Sequence, residues 1–293
     1  MKIGLRIDVD TLRGTRAGVP ALCRTLASRS VRASFFFSSG PDNMGRNLWR
    51  LLKPAFLLKM LRSNAPGLYG WDILLRGTFW PGPMIGRACA PMIRDSVRDG
   101  HELGFHAWDH YAWQQGIGAW DEARVRRALS RGLDALAGAA GAAPSCSAAP
   151  AWKCTPAVLN VKEEFAFRHN SDCRGRSIFL PVVAGRTLAQ PQIPVTLPTF
   201  DEAVGRKGVT VETYNDYLMG LCKPGALNVL TIHAEVEGGV CSGLFGNFLD
   251  KAMAAGFRFC ALGDLLGGAA ALPRGRIVRG SLEGREGWIS MQE

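Results

Sequence analysis

Three of the five histidines in this 293-residue chain fall within one ten-residue stretch, HELGFHAWDH, residues 101–110. His106 and His110 have the spacing of neighbours on one face of a helical turn, which lets two imidazoles grip one metal ion. The first apolar run of the chain ends in Asp8-Val9-Asp10. Side chains two apart on a strand point the same way, so both carboxylates can face one site, where they repel unless a cation or proton lies between them. Asp10 with His106 and His110 makes a two-histidine, one-carboxylate set, an arrangement that leaves positions open for water and substrate. A lone His233 closes the late apolar run LNVLTIHA, residues 227–234, and offers a group that trades protons near neutral pH. Glu235 and Glu237 after it read as solvated loop charges. His101 reads as a structural residue or a supporting partner of the site, and His169 as equally at home on the surface.

These residues gain weight from the elements that carry them. IGLRIDV, residues 3–9, reads as a buried strand, residues 15–29 as a helix and VRASFFF, residues 31–37, as the next strand. Strand, helix, strand in so short a span is a βαβ unit and argues for a parallel sheet. Helices are predicted over 84–100, 121–138, 155–165, 211–222 and 243–256, and strands over 102–106, 145–149, 167–171, 177–183, 191–196, 227–234 and 257–262. Such alternation fits a (β/α) barrel or a doubly wound sheet, and a barrel places its chemistry at the C-terminal strand ends, where Asp8, Asp10, His106, Asp172 and His233 stand. Residues 271–293 are polar and show no strong period.

Composition bounds the partners. The chain carries a net charge of +10 and a pI near 9.5, which favours an anionic partner, though charge alone is equally the mark of an arginine-rich soluble protein. No nucleic-acid recognition motif accompanies it, so nucleic acid is not an expected partner. Eight scattered cysteines form no C-x-x-C pair, which reads as reduced thiols in a cytoplasmic protein and not as a zinc ribbon. No run is long and apolar enough for a membrane span, and MKIGLRIDVD reads as a strand, not a leader. Residues 46–62 mix five cations with leucines, Trp49 and Phe56, and Pro54 divides them into two short helices, built either as a hairpin packed on the domain or as an interfacial element.

At these motifs the chain resembles the polysaccharide deacetylase superfamily. The resemblance implies a distorted (β/α)7 barrel over residues 1–270 with a helical insertion near 42–85, and a C-terminal extension, 271–293, packing on it. In that family the first motif carries a base aspartate and a metal aspartate, the second two histidine ligands, and a late motif a catalytic histidine. Asp8 and Asp10, His106 and His110, and His233 match in that order, which implies one divalent ion (zinc, manganese or cobalt, with iron also compatible) on Asp10, His106 and His110. The family's third motif has an arginine that orients the base. Here its place is taken by Ala148 in Ser147-Ala148-Ala149-Pro150-Ala151-Trp152, so the orienting cation is expected elsewhere, at Arg174 or Arg6. Asp172 is expected to orient His233, and Trp152 and Arg174 to bind or orient the substrate.

The strings RIDVDTLRGTRAGVP, ASFFFSSGPDNMGR, SNAPGLYGWDILLRGT, GHELGFHAWDHYAWQ, RHNSDCRG, QIPVTLPTFDE, TIHAEVEG and IVRGSLEGREGW are similar to one branch, the 4-deoxy-4-formamido-L-arabinose-phosphoundecaprenol deformylases of lipid A modification and cationic-peptide resistance. That resemblance implies a metal-dependent amidohydrolase releasing formate from a polyprenyl-phosphate-linked amino sugar. The alternative on the same scaffold is a deacetylase of another N-acylated amino sugar. A lipid-anchored substrate implies a cytoplasmic protein, peripheral on the inner membrane, with Trp49, Arg50, Lys53 and Phe56 as the contact residues.

Overall fold

Along β1, Lys2–Val9, every residue but Lys2 is buried. Alternation sends Ile3, Leu5, Ile7 and Val9 to one face, where they join the cluster that holds Val19, Leu22 and Leu26 of the first helix, α1, Val19–Ala27. It sends Arg6 and Asp8 to the other face, into the interior of a ring of strands. A parallel sheet covered on both sides produces this near-continuous burial. The computed structural model describes residues 1–47, 77–267, 271–283, 285 and 287–293.

The strands that follow are β2, Ser34–Ser38, β3, Glu102–Ala107, β4, Cys146–Ser147, β5, His169–Asn170, β6, Leu180–Val183, β7, Arg186–Thr187, β8, Val229–His233, and β9, Arg258–Cys260. Six of them run parallel in the order β5-β4-β3-β2-β1-β8, and β9 pairs with the start of β1. Residues 191–197 span the gap between β5 and β8. Ile193 N–H donates to Asn170 O at 2.8 Å, Val195 N–H to Cys173 O at 3.0 Å, and Leu197 N–H to Val229 O at 3.0 Å. The sequence reading expected a strand here, but Pro191, Pro194 and Pro198 remove the N–H groups a regular ladder needs. The result is a distorted barrel with one irregular stave. Its interior is filled by Phe36, Cys146, Trp152, Ile193, Val229 and Leu262.

Outside the ring lie α2, Ile85–Ala88, α3, Ala90–Arg98, α4, His110–Gly116, α5, Glu122–Ala140, α6, Pro156–Lys162, α7, Phe200–Ala203, α8, Tyr214–Leu221, and α9, Ser242–Ala254. The helix expected over 121–138 forms as α5. Asp121 caps it by accepting from Arg124 N–H at 2.7 Å, and the left-handed Gly141, φ 74°, ends it. The helix expected over 15–29 begins instead as a π-helical turn, Gly14–Gly18. Residues 271–293, read as aperiodic, hold three short strands: β10, Arg274–Gly275, β11, Ile277–Gly280, and β12, Ile289–Gln292. β11 and β12 form an antiparallel pair, and β12 is tied to Arg174, whose N–H donates to Ser290 O at 2.9 Å and whose carbonyl accepts from Gln292 N–H at 2.7 Å.

Candidate metal centre

Asp10 lies just past the end of β1, and His106 lies near the end of β3, two strands away across β2. Strands two places apart stand roughly 10 Å apart at the backbone, a gap that two inward side chains and one ion fill. His110 opens α4. The four-residue spacing of the histidines therefore crosses a strand–helix junction; it does not span a turn of helix, as the spacing had suggested. Asp109 makes the junction sharp: its Oδ1 caps α4 by accepting from Ala112 N–H at 2.9 Å, and its Oδ2 accepts from Asn43 Nδ2 at 2.6 Å. The imidazoles end with ring centroids 5.2 Å apart.

The ligand atoms converge. His106 Nε2 lies 3.3 Å from Asp10 Oδ1, and His110 Nε2 lies 3.3 Å from Asp10 Oδ2. Asp10, His106 and His110 each offer an atom within 4.8 Å of the other two. His106 Nδ1 is 2.8 Å from the Ala148 carbonyl, which can only accept, so the proton sits on Nδ1 and the Nε2 lone pair faces the carboxylate. Asp10 Oδ1 and His106 Nε2 are buried with no hydrogen-bond partner. A lone pair and an anion facing each other in a buried site are drawn together by a cation between them, so this donor set fits a divalent metal ion. Burial pushes His110 down to about 4, with the nearby Asp10 charge only partly opposing it, so its ring is neutral and able to ligate. Burial works to raise Asp10, but the His110 and His106 rings hold its carboxyl far below the usual range.

Asp8 stands beside this set, its Oδ2 3.8 Å from His106 Nε2. Arg6 grips it with two bonds, Nε to Oδ1 and Nη2 to Oδ2, both 2.7 Å. Arg6 Nη1 donates to the Ser171 carbonyl at 2.5 Å. Burial opposes ionisation of Asp8, yet the Arg6 charge, with His106, holds its pKa below the ordinary value. Of the two orienting cations considered, the structure selects Arg6 and excludes Arg174, whose Nη1 reaches Glu202 Oε2 at 3.0 Å. The shared parity of Arg6 and Asp8 on β1 was the signal.

His233 pairs in register with Asp8 on the adjacent strand. Burial lowers its pKa, but the carboxylates of Asp10 and Asp8 outweigh this and raise it overall. The two glutamates after it are not solvated loop charges: Glu235 and Glu237 are 5% and 4% exposed. Glu235 Oε1 accepts from Asp10 N–H at 3.1 Å, from Thr11 N–H at 2.8 Å and from the Thr11 hydroxyl at 2.7 Å, so it fixes the backbone that presents Asp10. A Cβ on Gly14 would stand 2.1 Å from that same oxygen, which is why glycine occupies the position. Glu237 Oε2 accepts from His233 N–H at 2.8 Å. Burial raises Glu235 to about 8, with the Asp10 charge adding to it, and Glu237 to about 7.

Asp172 departs from its expected place. It is fully buried, its Oδ1 takes Lys162 Nζ at 2.6 Å and its Oδ2 takes Gln192 Nε2 at 3.0 Å, so it is committed to an internal ion pair and not to His233. Lys162, on the inner face of α6, is the partner the sequence reading lacked. Trp152 is 1% exposed, and the guanidinium carbons of Arg6, Arg174 and Arg285 lie 5.4, 5.0 and 4.3 Å from its ring centre. Trp49, Arg50, Lys53 and Phe56 lie outside the described residues; no helix among the described residues is long and apolar enough to cross a membrane.

A second group occupies the opposite end of the barrel, where β3, β4 and β5 begin. Glu102, Cys146 and His169 also offer ligand atoms within 4.8 Å of one another. His169 is fully buried, not on the surface, with Nε2 3.1 Å from Glu102 Oε1. Glu102 Oε2 accepts from the Ser34 hydroxyl and, at 3.2 Å, from Gly263 N–H. His101 has the structural role expected of it: its Nδ1 accepts from Ala33 N–H at 3.2 Å.

Comparison with known proteins accords with this architecture. The polysaccharide deacetylase family model matches residues 5–169. A protein of Shewanella sediminis (strain HAW-EB3), described as a probable 4-deoxy-4-formamido-L-arabinose-phosphoundecaprenol deformylase ArnD, is 49% identical over 292 residues, covering 99% of this chain and 94% of that protein. A protein of the same description from Wigglesworthia glossinidia brevipalpis is 40% identical over 96% of this chain and 98% of its own length. Among solved structures, a polysaccharide deacetylase-like protein from Mycobacterium smegmatis superposes with a TM-score of 0.64 over 90% of this chain and 88% of that one, at 19% identity. A probable polysaccharide deacetylase from Pseudomonas aeruginosa PAO1 gives 0.59 over 90% and 89%, at 15% identity. The structural likeness speaks for the fold, and the sequence matches speak for descent. The chain belongs to the polysaccharide deacetylase family, on the branch of the 4-deoxy-4-formamido-L-arabinose-phosphoundecaprenol deformylases.

Proposed function

We propose that this protein hydrolyses the formamide of 4-deoxy-4-formamido-L-arabinose phosphoundecaprenol, releasing formate and the free 4-amino sugar lipid for lipid A modification and cationic-peptide resistance. The observation that carries the reading is the convergence of Asp10, His106 and His110, with two unpartnered buried ligand atoms among them, beside an ionised Asp8. A divalent cation held by these three residues supplies Lewis-acid activation of water and of the amide oxygen. Asp8 takes the proton of the attacking water. Arg6 keeps that carboxylate ionised and aimed, and its second contact to Ser171 O anchors it to the far side of the ring. His233, whose pKa burial lowers but the Asp10 and Asp8 carboxylates raise overall, gives a proton to the departing nitrogen, so that the C–N bond opens to formate and an amine. Glu237 and Glu235 hold His233 and Asp10 through their backbones.

The same reading places the protein on the cytoplasmic face of the inner membrane, because the substrate's polyprenyl chain stays in the bilayer. Residues 46–62, with Trp49, Arg50, Lys53 and Phe56, are the proposed contact within the insertion at 42–85. Exposed Phe79 and Trp80, 65% and 78% accessible in the described part of that insertion, support it. The barrel over 1–270 and the extension over 271–293 act as one catalytic unit in this reading. Formate release from the lipid-linked formamido sugar, set against its N-acetyl counterpart, is the decisive assay. Release from the formyl compound alone is expected, and preference for the acetyl compound would overturn the reading. Equal vesicle binding by wild type and by Arg50→Glu/Lys53→Glu would remove the membrane contact.

A further inference from the structure

The reacting amide and the phosphate stand on opposite sides of the substrate's sugar ring, so when the amide reaches Asp10 and Asp8 the phosphate comes to rest one ring's width away. Arg6 grips Asp8 on one side and lies over Trp152 on the other, and the same indole carries Arg174 and Arg285. Arg6 is fully buried and committed to the base. Arg174 and Arg285 are partly open, with side chains 10% and 14% exposed, and they converge on one carboxylate: Arg174 Nη1 meets Glu202 Oε2 at 3.0 Å and Arg285 Nε meets Glu202 Oε1 at 2.5 Å.

Gathering three guanidiniums around one ring works against their mutual repulsion. Burial lowers the Arg174 pKa, and although Glu202 opposes this, the charges of Arg285 and Arg6 add to the fall. The backbone beneath is also forced: Ala151 and Trp152 both sit in the left-handed region, with φ of 52° and 51°, a conformation that costs a non-glycine residue energy and is retained where it serves a site. Arg6 holds Asp8, while Arg174 and Arg285 share the single carboxylate of Glu202, and a planar guanidinium pair matches a phosphate's oxygens. The extension is pinned at this point, since β12 bonds both the N–H and the carbonyl of Arg174 and the segment before it delivers Arg285. The general family match ends at residue 169, ahead of Arg174, Glu202 and Arg285. The metal ligands and base lie within that matched region and the arginine pair lies beyond it.

We propose that Arg174 and Arg285, laid on Trp152 and joined by Glu202, receive the phosphate of the substrate, an inference that rests on the function proposed above. The pair acts in binding, so its loss falls on KM. The test uses two water-soluble probes that take the membrane out of the measurement: a short-chain alkyl phosphodiester of the 4-formamido sugar, and an alkyl glycoside of the same sugar without phosphate. Wild type is expected to favour the phosphodiester. Arg285→Ala is expected to cut that preference in kcat/KM roughly ten- to hundredfold, mainly through KM, with Arg285→Lys recovering part of it. Arg174→Lys, which keeps the charge but loses the fork, is expected to lower the preference less, and it serves as the second variant should the alanine form fail to fold. No preference in wild type, or equal losses on the two probes in both variants, would overturn the inference. Hydrolysis of neither probe nor of the lipid-linked substrate would remove the function it rests on, and the inference with it.

Discussion

At the C-terminal ends of the strands, Asp10, His106 and His110 face one another with two of their polar atoms buried and unpartnered. At the N-terminal ends, Glu102, Cys146 and His169 stand equally close, yet Glu102 is answered by His169, Ser34 and Gly263. Burial works to raise Glu102, but the His169 hydrogen bond and charge prevail and hold it down to about 2. Proximity of ligand types therefore does not by itself make a metal site. What separates the two ends is whether the protein's own hydrogen bonds already satisfy the carboxylate. In the upper group a carboxylate oxygen and the facing His106 Nε2 are both left unanswered, as a cation site requires, whereas in the lower one the carboxylate is answered and His169 Nδ1 is the atom without a partner.

Metal content and activity test this contrast most severely. Asp10→Ala is expected to abolish both bound divalent metal and deformylation, whereas His169→Gln leaves the metal stoichiometry of the purified protein unchanged; metal lost from the second variant would place the ion at the floor. Asp8→Asn comes next. It should keep the metal by elemental analysis and lower kcat by roughly 10²–10⁴-fold, since only proton transfer is removed. Gly14→Ala drives a methyl group into Glu235 and shifts the backbone that presents Asp10, for which a loss of roughly ten- to hundredfold in kcat is expected, with the fold retained by circular dichroism.

The floor responds in stability. The folded-state pKa of Glu102 is depressed, so its contribution is fully present above the ordinary carboxylate value of 4.5 and is lost as pH falls toward about 2. A depression of this size corresponds to roughly 3 kcal/mol. Glu102→Gln should therefore lower the melting temperature at pH 7 and flatten its fall in acid, with kcat at neutral pH little changed. An acid limb identical to wild type would mean that the pair does not stabilise the fold. Smallest of all, Cys146→Ala removes a small buried group and should cost about 1 kcal/mol in denaturant melts, leaving bound metal as it was.

Much of the upper site could be read from the chain because its residues sit at strand ends, where periodicity and polarity part company. Asp8 and Asp10 interrupt an apolar run, His106 and His233 terminate two others, and the family motifs keep their order. The supporting residues were harder to read. Glu235 and Glu237 look like any loop carboxylates until the turn after β8 folds them back on Asp10 and His233. Asp172 looks like a site residue until α6 brings Lys162 to it. A strand was expected over 191–196, and its prolines turned it into a bridge of single hydrogen bonds.

Sequence alone determined which side chains alternate inward along each strand and in what order the reactive groups arrive, because strand periodicity and chain order are local properties. It did not determine which cation answers which anion. Arg6 or Arg174 for Asp8, Lys162 or His233 for Asp172, and the hydrogen-bond shell of Glu102 were settled only by the closed barrel. A buried charge takes the partner that geometry brings within about 3 Å, and that distance is set by staves far apart in the chain.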